Sequence, residues 1–324
     1  MAVKEDKSVQ NEILIGVSAC LMGQEVRWDG GHKRDRFLTD TLADFVRFVP
    51  VCPEFDLGLG TPRETLRLEA SPEGPRLVEN KSKRDLTARM DRYASKKSRE
   101  LERQDLSGFI FKKDSPSCGL FRVRVYGKGG SPARNGRGLF AETFAQRNPL
   151  LPIEEEGRLN DPPLRENFLE RVFAYRRLRD FFAGRWRVGD LVEFHTNEKL
   201  LLFAHKETAY RALGRVVADA KQMSRKELAK GYQGLFMDAL GHQATVRRHV
   251  NVLQHAAGYF KKDLESSDRT ELARLIDDYR KRLVPLVVPL TMVRHYVRAL
   301  DVEYLSRQTY LSPHPKELML RNHV

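Results

Sequence analysis

The first half of the chain alternates two apolar rhythms. "EILIGVSAC" (12–20) is a β-branched run that ends in small residues, and "FVPVCPE" (48–54) repeats the pattern and is stopped by Pro53. Between them, "DRFLTDTLADFVRF" sets Phe37, Leu38, Leu42, Phe45 and Val46 on one helical face. "ARMDRYASKKSRELERQDL" (88–106) is a polar, amphipathic helix, "SGFIFKKDSPSCG" (107–119) reads as strand then loop, and "LFRVRVYG" (120–127) as another short strand. Strand–helix alternation of this kind predicts a parallel sheet with helical crossovers, a Rossmann-like α/β domain. "GKGGSPARNGRGLF" (127–140) follows as a glycine-rich basic loop.

"NPLLPIEEEGRLNDPP" (148–163) is rich in proline and acid and reads as a connector into the amphipathic helix "LRENFLERVFAYRRLRDFFA" (164–183). The domain boundary is placed after that helix, giving an α/β domain over 1–183 and an all-α domain over 184–324. Nearly every segment beyond it has helical period, with Ser224 and Ser267 or Asp268 as expected N-caps.

Composition narrows the class. No apolar run reaches the roughly 18 residues of a membrane span. The run "LVPLVVPLTMV" is broken by two prolines, and "MAVKEDKSVQNE" lacks a signal-peptide core. The expectation is a cytoplasmic protein with no membrane partner. Three cysteines in 324 residues do not make a disulfide framework, so reduced thiols are expected. Net charge is +13, and residues 171–324 hold 28 basic against 17 acidic side chains. An excess concentrated in one half favours a polyanion partner over a merely solvated surface.

Cys20, Cys52 and Cys118 each sit at or just past the end of an expected strand. In an open parallel sheet those ends share one edge, where ligands bind. Three converging thiolates leave one metal position open, which suits either a zinc with bound water or a 4Fe–4S cluster with one unligated iron. The competing reading is three buried cysteines acting as small hydrophobes. The turn-forming and polar neighbours in "SAC", "VCPE" and "SPSCG" favour the metal.

"IGVSACLMGQEVRWDGG", "VCPEFDLGLGTPRE" and "GFIFKKDSPSCG" together resemble the thiouracil desulfidase family. The second half, with "FHTNEKLLLFAHKETAYRALGRVVA", "HVNVLQHAAGYFKK" and "LVPLVVPLTMVRHYV", resembles the helical domain fused to some of its members, the tRNA 4-thiouridine desulfidases. The resemblance implies a 4Fe–4S cluster on Cys20, Cys52 and Cys118, and tRNA carrying 4-thiouridine as partner. It implies Glu54 as the acid/base and Ser115 as a catalytic serine, with Ser117 in the same loop. Near an apolar cluster pocket the Glu54 pKa should rise. Free thiouracil is the alternative substrate, and a nucleic-acid-binding protein with a structural or sensing cluster the alternative class.

For phosphate contacts the basic loop offers Lys128, Arg134 and Arg137. It lacks the order of a nucleotide-binding P-loop. The helical half offers Lys199, His205, Lys206, Arg247, Arg248, Asn251, Gln254, His255 and Lys261. Most such residues in any helical domain are satisfied polar groups at helix contacts, and an RNA surface is the sharper expectation here.

Overall fold

The computed structural model describes residues 13–127, 129 and 131–323, folded as two compact units, Met1–Asn160 and Asp161–Val324. In unit 1 the elements run β1 (Leu14–Ser18), α1 (Arg36–Asp40), β2 (Arg47–Val51), α2 (Pro53–Asp56), β3 (Leu66–Glu69), β4 (Arg76–Glu79), α3 (Thr87–Glu102), β5 (Gly108–Phe111), β6 (Val123–Tyr126), β7 (Ala133–Gly136), α4 (Leu139–Arg147) and β8 (Ile153–Glu155).

Strands β2-β1-β5-β8 form an all-parallel sheet, as the apolar runs predict. Its centre is β5, whose Phe109, Ile110 and Phe111 are fully buried. Phe109 stacks on Phe111 at 4.2 Å and meets Phe144 of α4 at 4.9 Å, so the aromatic side chains of strand and helix make one core. Gly16 of β1 is required by that packing, because a Cβ there would lie 2.2 Å from the Phe109 ring.

Three expectations are corrected. "LFRVRVYG" does not extend the parallel sheet. As β6 it joins a second, mixed sheet in the order β4-β3-β6-β7. Part of the supposed basic loop, Ala133–Gly136, is β7, paired to β6 with Val125 opposite Ala133. The helix expected over 35–48 stops at Asp40, because the chain from Arg47 is taken into the sheet as β2 beside β1.

Unit 2 is helical: α5 (Pro162–Ala183), α6 (Val188–His205), α7 (Glu207–Ala218), α8 (Arg225–Gly241), α9 (Val246–Gly258), α10 (Ser266–Arg280), α11 (Val287–Ala299) and α12 (Glu303–Ser306). The boundary therefore precedes α5 rather than following it at 183/184. Buried bonds explain why. Asn167 donates to the Leu240 carbonyl at 3.0 Å, Arg177 pairs with Glu198 at 2.8 Å, and Glu170 with His205 at 2.9 Å, all within unit 2. Amphipathicity shows that α5 has a face to bury, not which unit buries it. Ser224 caps α8 as expected, whereas α10 starts at Ser266 with Glu265 at its cap. No helix among the described residues is long and apolar enough to cross a membrane.

Candidate active site

The strand ends bring the three cysteines to one edge. Cys20 lies in the turn that follows β1, and Cys52 directly follows β2 as the N-cap of α2. Cys118 lies in the loop after β5, which pairs with β1 on its other side. All three line a single cavity of about 380 Å³ with Arg27, Trp28, Lys33, Glu54, Arg63, Lys112 and Ser115. None is in a disulfide.

The Cys118 loop is held on both flanks by the acidic run that reads as a connector. Glu155 accepts from the Leu120 and Phe121 amides at 2.7 and 3.0 Å. Glu156 accepts from the Lys113 amide at 2.7 Å and pairs with the Lys112 ammonium. Inside the loop, the Ser115 hydroxyl accepts from the Ser117 and Cys118 amides at 3.2 and 3.1 Å. Gly138 packs so closely that a Cβ would meet the Ser117 carbonyl carbon at 2.4 Å. The loop is thus fixed before any ligand arrives.

Burial pushes the Cys52 thiol up to about 11, and it raises the Cys20 and Cys118 thiols as well. A metal centre must displace their protons to bind. Among the described residues no three His, Cys, Asp or Glu side chains are gathered into a metal-ion group. The thiols are instead arranged around one cavity wall. Three free, soft donors opening on a shared cavity are a donor set that fits an iron–sulfur cluster.

Glu54 is not in the apolar surroundings expected of it. Its Oε2 accepts from Arg63 Nη2 at 2.7 Å and Nε at 3.2 Å, and its Oε1 accepts from the Ser117 hydroxyl at 3.0 Å. Arg63 also donates to the Val26 carbonyl at 3.0 Å and the Gly60 carbonyl at 2.8 Å, while its amide holds the Trp28 carbonyl at 2.8 Å. Its side chain is 6% exposed and that of Glu54 is 15% exposed. The serine touching Glu54 is therefore Ser117, fully buried, and Ser115 braces the turn that presents Cys118. Arg63 was missed by sequence reasoning, although "GTPRE" follows "CPE" closely enough to have marked it. Trp28, 44% exposed on the cavity wall, was given no role either.

The expected phosphate contacts separate into groups. Lys128 lies outside the described residues. Arg134 is exposed on β7, and Arg137 is tied to the Leu120 carbonyl at 3.0 Å and Glu142 at 2.9 Å. In unit 2, His205 is buried between Glu170 and the His242 carbonyl, so it is a packing residue and not a phosphate contact. Lys206 is engaged by Asp238 and His242 at 3.0 and 2.8 Å, and Arg248 holds the His205 carbonyl. Arg247, Asn251, Gln254, His255 and Lys261 are exposed, and Lys199 is half-buried beside a cavity.

A family model described as 2-thiouracil desulfurase matches residues 15–156, and a second, described as a protein of unknown function (DUF1722), matches residues 199–315. YbgA of Escherichia coli (strain K12) is 35% identical over 158 residues, which are 48% of this chain and 94% of YbgA. The chain belongs to the 2-thiouracil desulfurase family, fused to a DUF1722 domain. YbbK of Bacillus subtilis (strain 168) is 32% identical over 111 residues, 33% of this chain and 73% of YbbK. A solved structure described as the 4Fe-4S-dependent thiouracil desulfidase TudS is 31% identical, with 47% of this chain and 95% of that chain covered and a TM-score of 0.39. The desulfurase match spans all three cysteines, Glu54, Arg63 and Ser117.

Proposed function

We propose that this protein is a 4Fe–4S-dependent desulfidase that converts 4-thiouridine in tRNA to uridine. The observation that carries the reading is one cavity lined by three free thiols and Glu54, with Glu54 oriented by Arg63 and Ser117. The desulfurase family supports the reaction class, and the basic second half supports a polyanionic substrate.

Cys20, Cys52 and Cys118 would hold the cluster, which when bound supplies a soft Lewis acid for the thione sulfur. The net reaction consumes no electrons: the C4=S bond and one water become C4=O and hydrogen sulfide. The chain's own part is to move protons and fix geometry. Glu54 takes a proton from the attacking water and returns one to the ring nitrogen or the departing sulfide. Arg63 and Ser117 hold the two Glu54 oxygens in a set direction, so little reorientation is needed at the moment of transfer. Trp28 offers an exposed aromatic face on the same wall, where a pyrimidine can stack.

The test is turnover by anaerobically reconstituted protein on bulk tRNA, read as 4-thiouridine loss and uridine gain by nucleoside mass spectrometry. Sulfide release from free thiouracil with tRNA untouched would transfer the reading to a free base. Absence of both would leave a nucleic-acid-binding protein with a structural or sensing cluster.

A further inference from the structure

Two adjoining cavities in the helical unit share a wall formed by Lys199, Tyr210 and Arg211. The larger, of about 840 Å³, is open and lies between α6 and α7, with Arg215 and Lys221 on its rim. No carboxylate lines it, and Lys199, Arg215 and Lys221 have no carboxylate partner among the described residues. The neighbouring Arg211 and Lys206 are both paired, with Glu207 and Asp238. The smaller cavity, of about 350 Å³, is lined also by His255, Tyr304 and Glu207, the last neutralised by its pair with Arg211. Tyr304 stacks on Tyr259 at 5.1 Å and 19°, and Tyr259 is itself exposed.

Behind Tyr210 the wall is backed by a buried histidine ring that is only half satisfied. His195 lies parallel to the Tyr210 ring at 6.3 Å and is 3% exposed. Its Nδ1 meets the Tyr232 hydroxyl at 3.2 Å, and its Nε2 has no partner among the described residues. Burial, and then Lys199, lower its pKa to about 4, so the ring is neutral at pH 7 and adds no charge of its own. The unpaired positive charge on the larger cavity therefore comes from Lys199, Arg215 and Lys221.

Unpaired cations beside aromatic rings distinguish one kind of nucleic acid from another. Duplex RNA offers phosphates and hydroxyls but hides its base faces. A single strand offers phosphates for the cations and a base face for each ring. We propose that this groove, from Lys221 through Lys199 and Tyr210 to Tyr304, holds an unpaired stretch of the RNA substrate. The inference rests on RNA being the substrate and names which part of it the helical unit grips. Charged partners without rings would leave the tyrosines idle.

The experiment uses the full chain and two fluorescent RNAs, an unpaired oligouridylate of about ten nucleotides and a blunt duplex of equal length, with binding read by anisotropy over a salt series. Tyr210→Leu and Tyr304→Leu are each expected to weaken the single-strand complex roughly tenfold or more, while Tyr210→Phe keeps it. A Lys199→Gln, Arg215→Gln, Lys221→Gln triple variant should lower the slope of log K against log salt by about 2. A Lys226→Gln, Lys230→Gln, Lys262→Gln triple variant removes equal charge elsewhere and should leave the slope unchanged. Equal losses in both triple variants, intact binding in the leucine variants, or preference for the duplex would each overturn the groove. The desulfidase reading is tested separately, by loss of 4-thiouridine from bulk tRNA with the parent protein. Absence of that loss would strike the desulfidase reading while leaving the binding result standing.

Discussion

Replacing Arg63 by methionine tests how the catalytic carboxylate is held. The substitution keeps most of the side-chain volume and removes five donors from a site that is 6% exposed. Glu54 loses its ion partner, and the Val26 and Gly60 carbonyls lose donors at 3.0 and 2.8 Å. Breaking a buried pair from one side costs about 3–5 kcal/mol, and partial exposure of Glu54 pulls this towards the lower end, about 3 kcal/mol. Glu54→Gln alone should cost less, because the amide oxygen can still accept. If the two groups act on each other, the double variant should recover at least about 1 kcal/mol relative to additivity. Each unit carries one of the two tryptophans, Trp28 or Trp186, so a Trp186→Phe background lets Trp28 fluorescence report urea unfolding of unit 1 alone. Turnover should fall through kcat, since the carboxylate is misdirected while the thiols remain. A stability loss below about 1 kcal/mol, or strict additivity in the cycle, would show that the pair neither anchors the site nor directs Glu54.

The two loop serines should separate by assay: Ser117→Ala keeps the iron content and lowers kcat roughly tenfold or more, while Ser115→Ala lowers iron content, because its hydroxyl holds the Cys118 amide at 3.1 Å. Gly138→Ala forces the new Cβ against the Ser117 backbone at 2.4 Å and should cost about 2 kcal/mol in urea unfolding together with bound iron, whereas normal iron would show the loop to be yielding. Acid should destabilise unit 2 before it protonates the carboxylates. Burial lowers His195 to about 4 and His249 to about 3, so below the unfolded value of about 6.5 the unfolded chain takes up protons that the folded one refuses. Stability should be complete above about pH 6.5 and fall by about 1.4 kcal/mol per pH unit per histidine on the way down, read by Trp186 fluorescence between pH 7 and 5. A flat profile there would mean that neither ring is kept neutral by the fold.

The sequence by itself determined the local periods and where the thiols stand in them. Runs such as "EILIGVSAC" and "SGFIF" specify buried strands because a continuous apolar run pays off only when both faces are covered, and a cysteine at the end of such a run is carried to the sheet edge. The helical second half was equally legible from its period. What only the tertiary structure decided is which distant groups become partners. Ser115 and Ser117 are two residues apart and chemically alike, and it is the turn between them that aims Ser117 at Glu54. The acids of "IEEEG" read as a solvated connector until the sheet places them on the amides around Cys118. His205 reads as an RNA contact until α5 folds back and closes Glu170 over it. Period reports that a face is buried, but long-range packing chooses what buries it, and charges and hydroxyls take their roles from that choice.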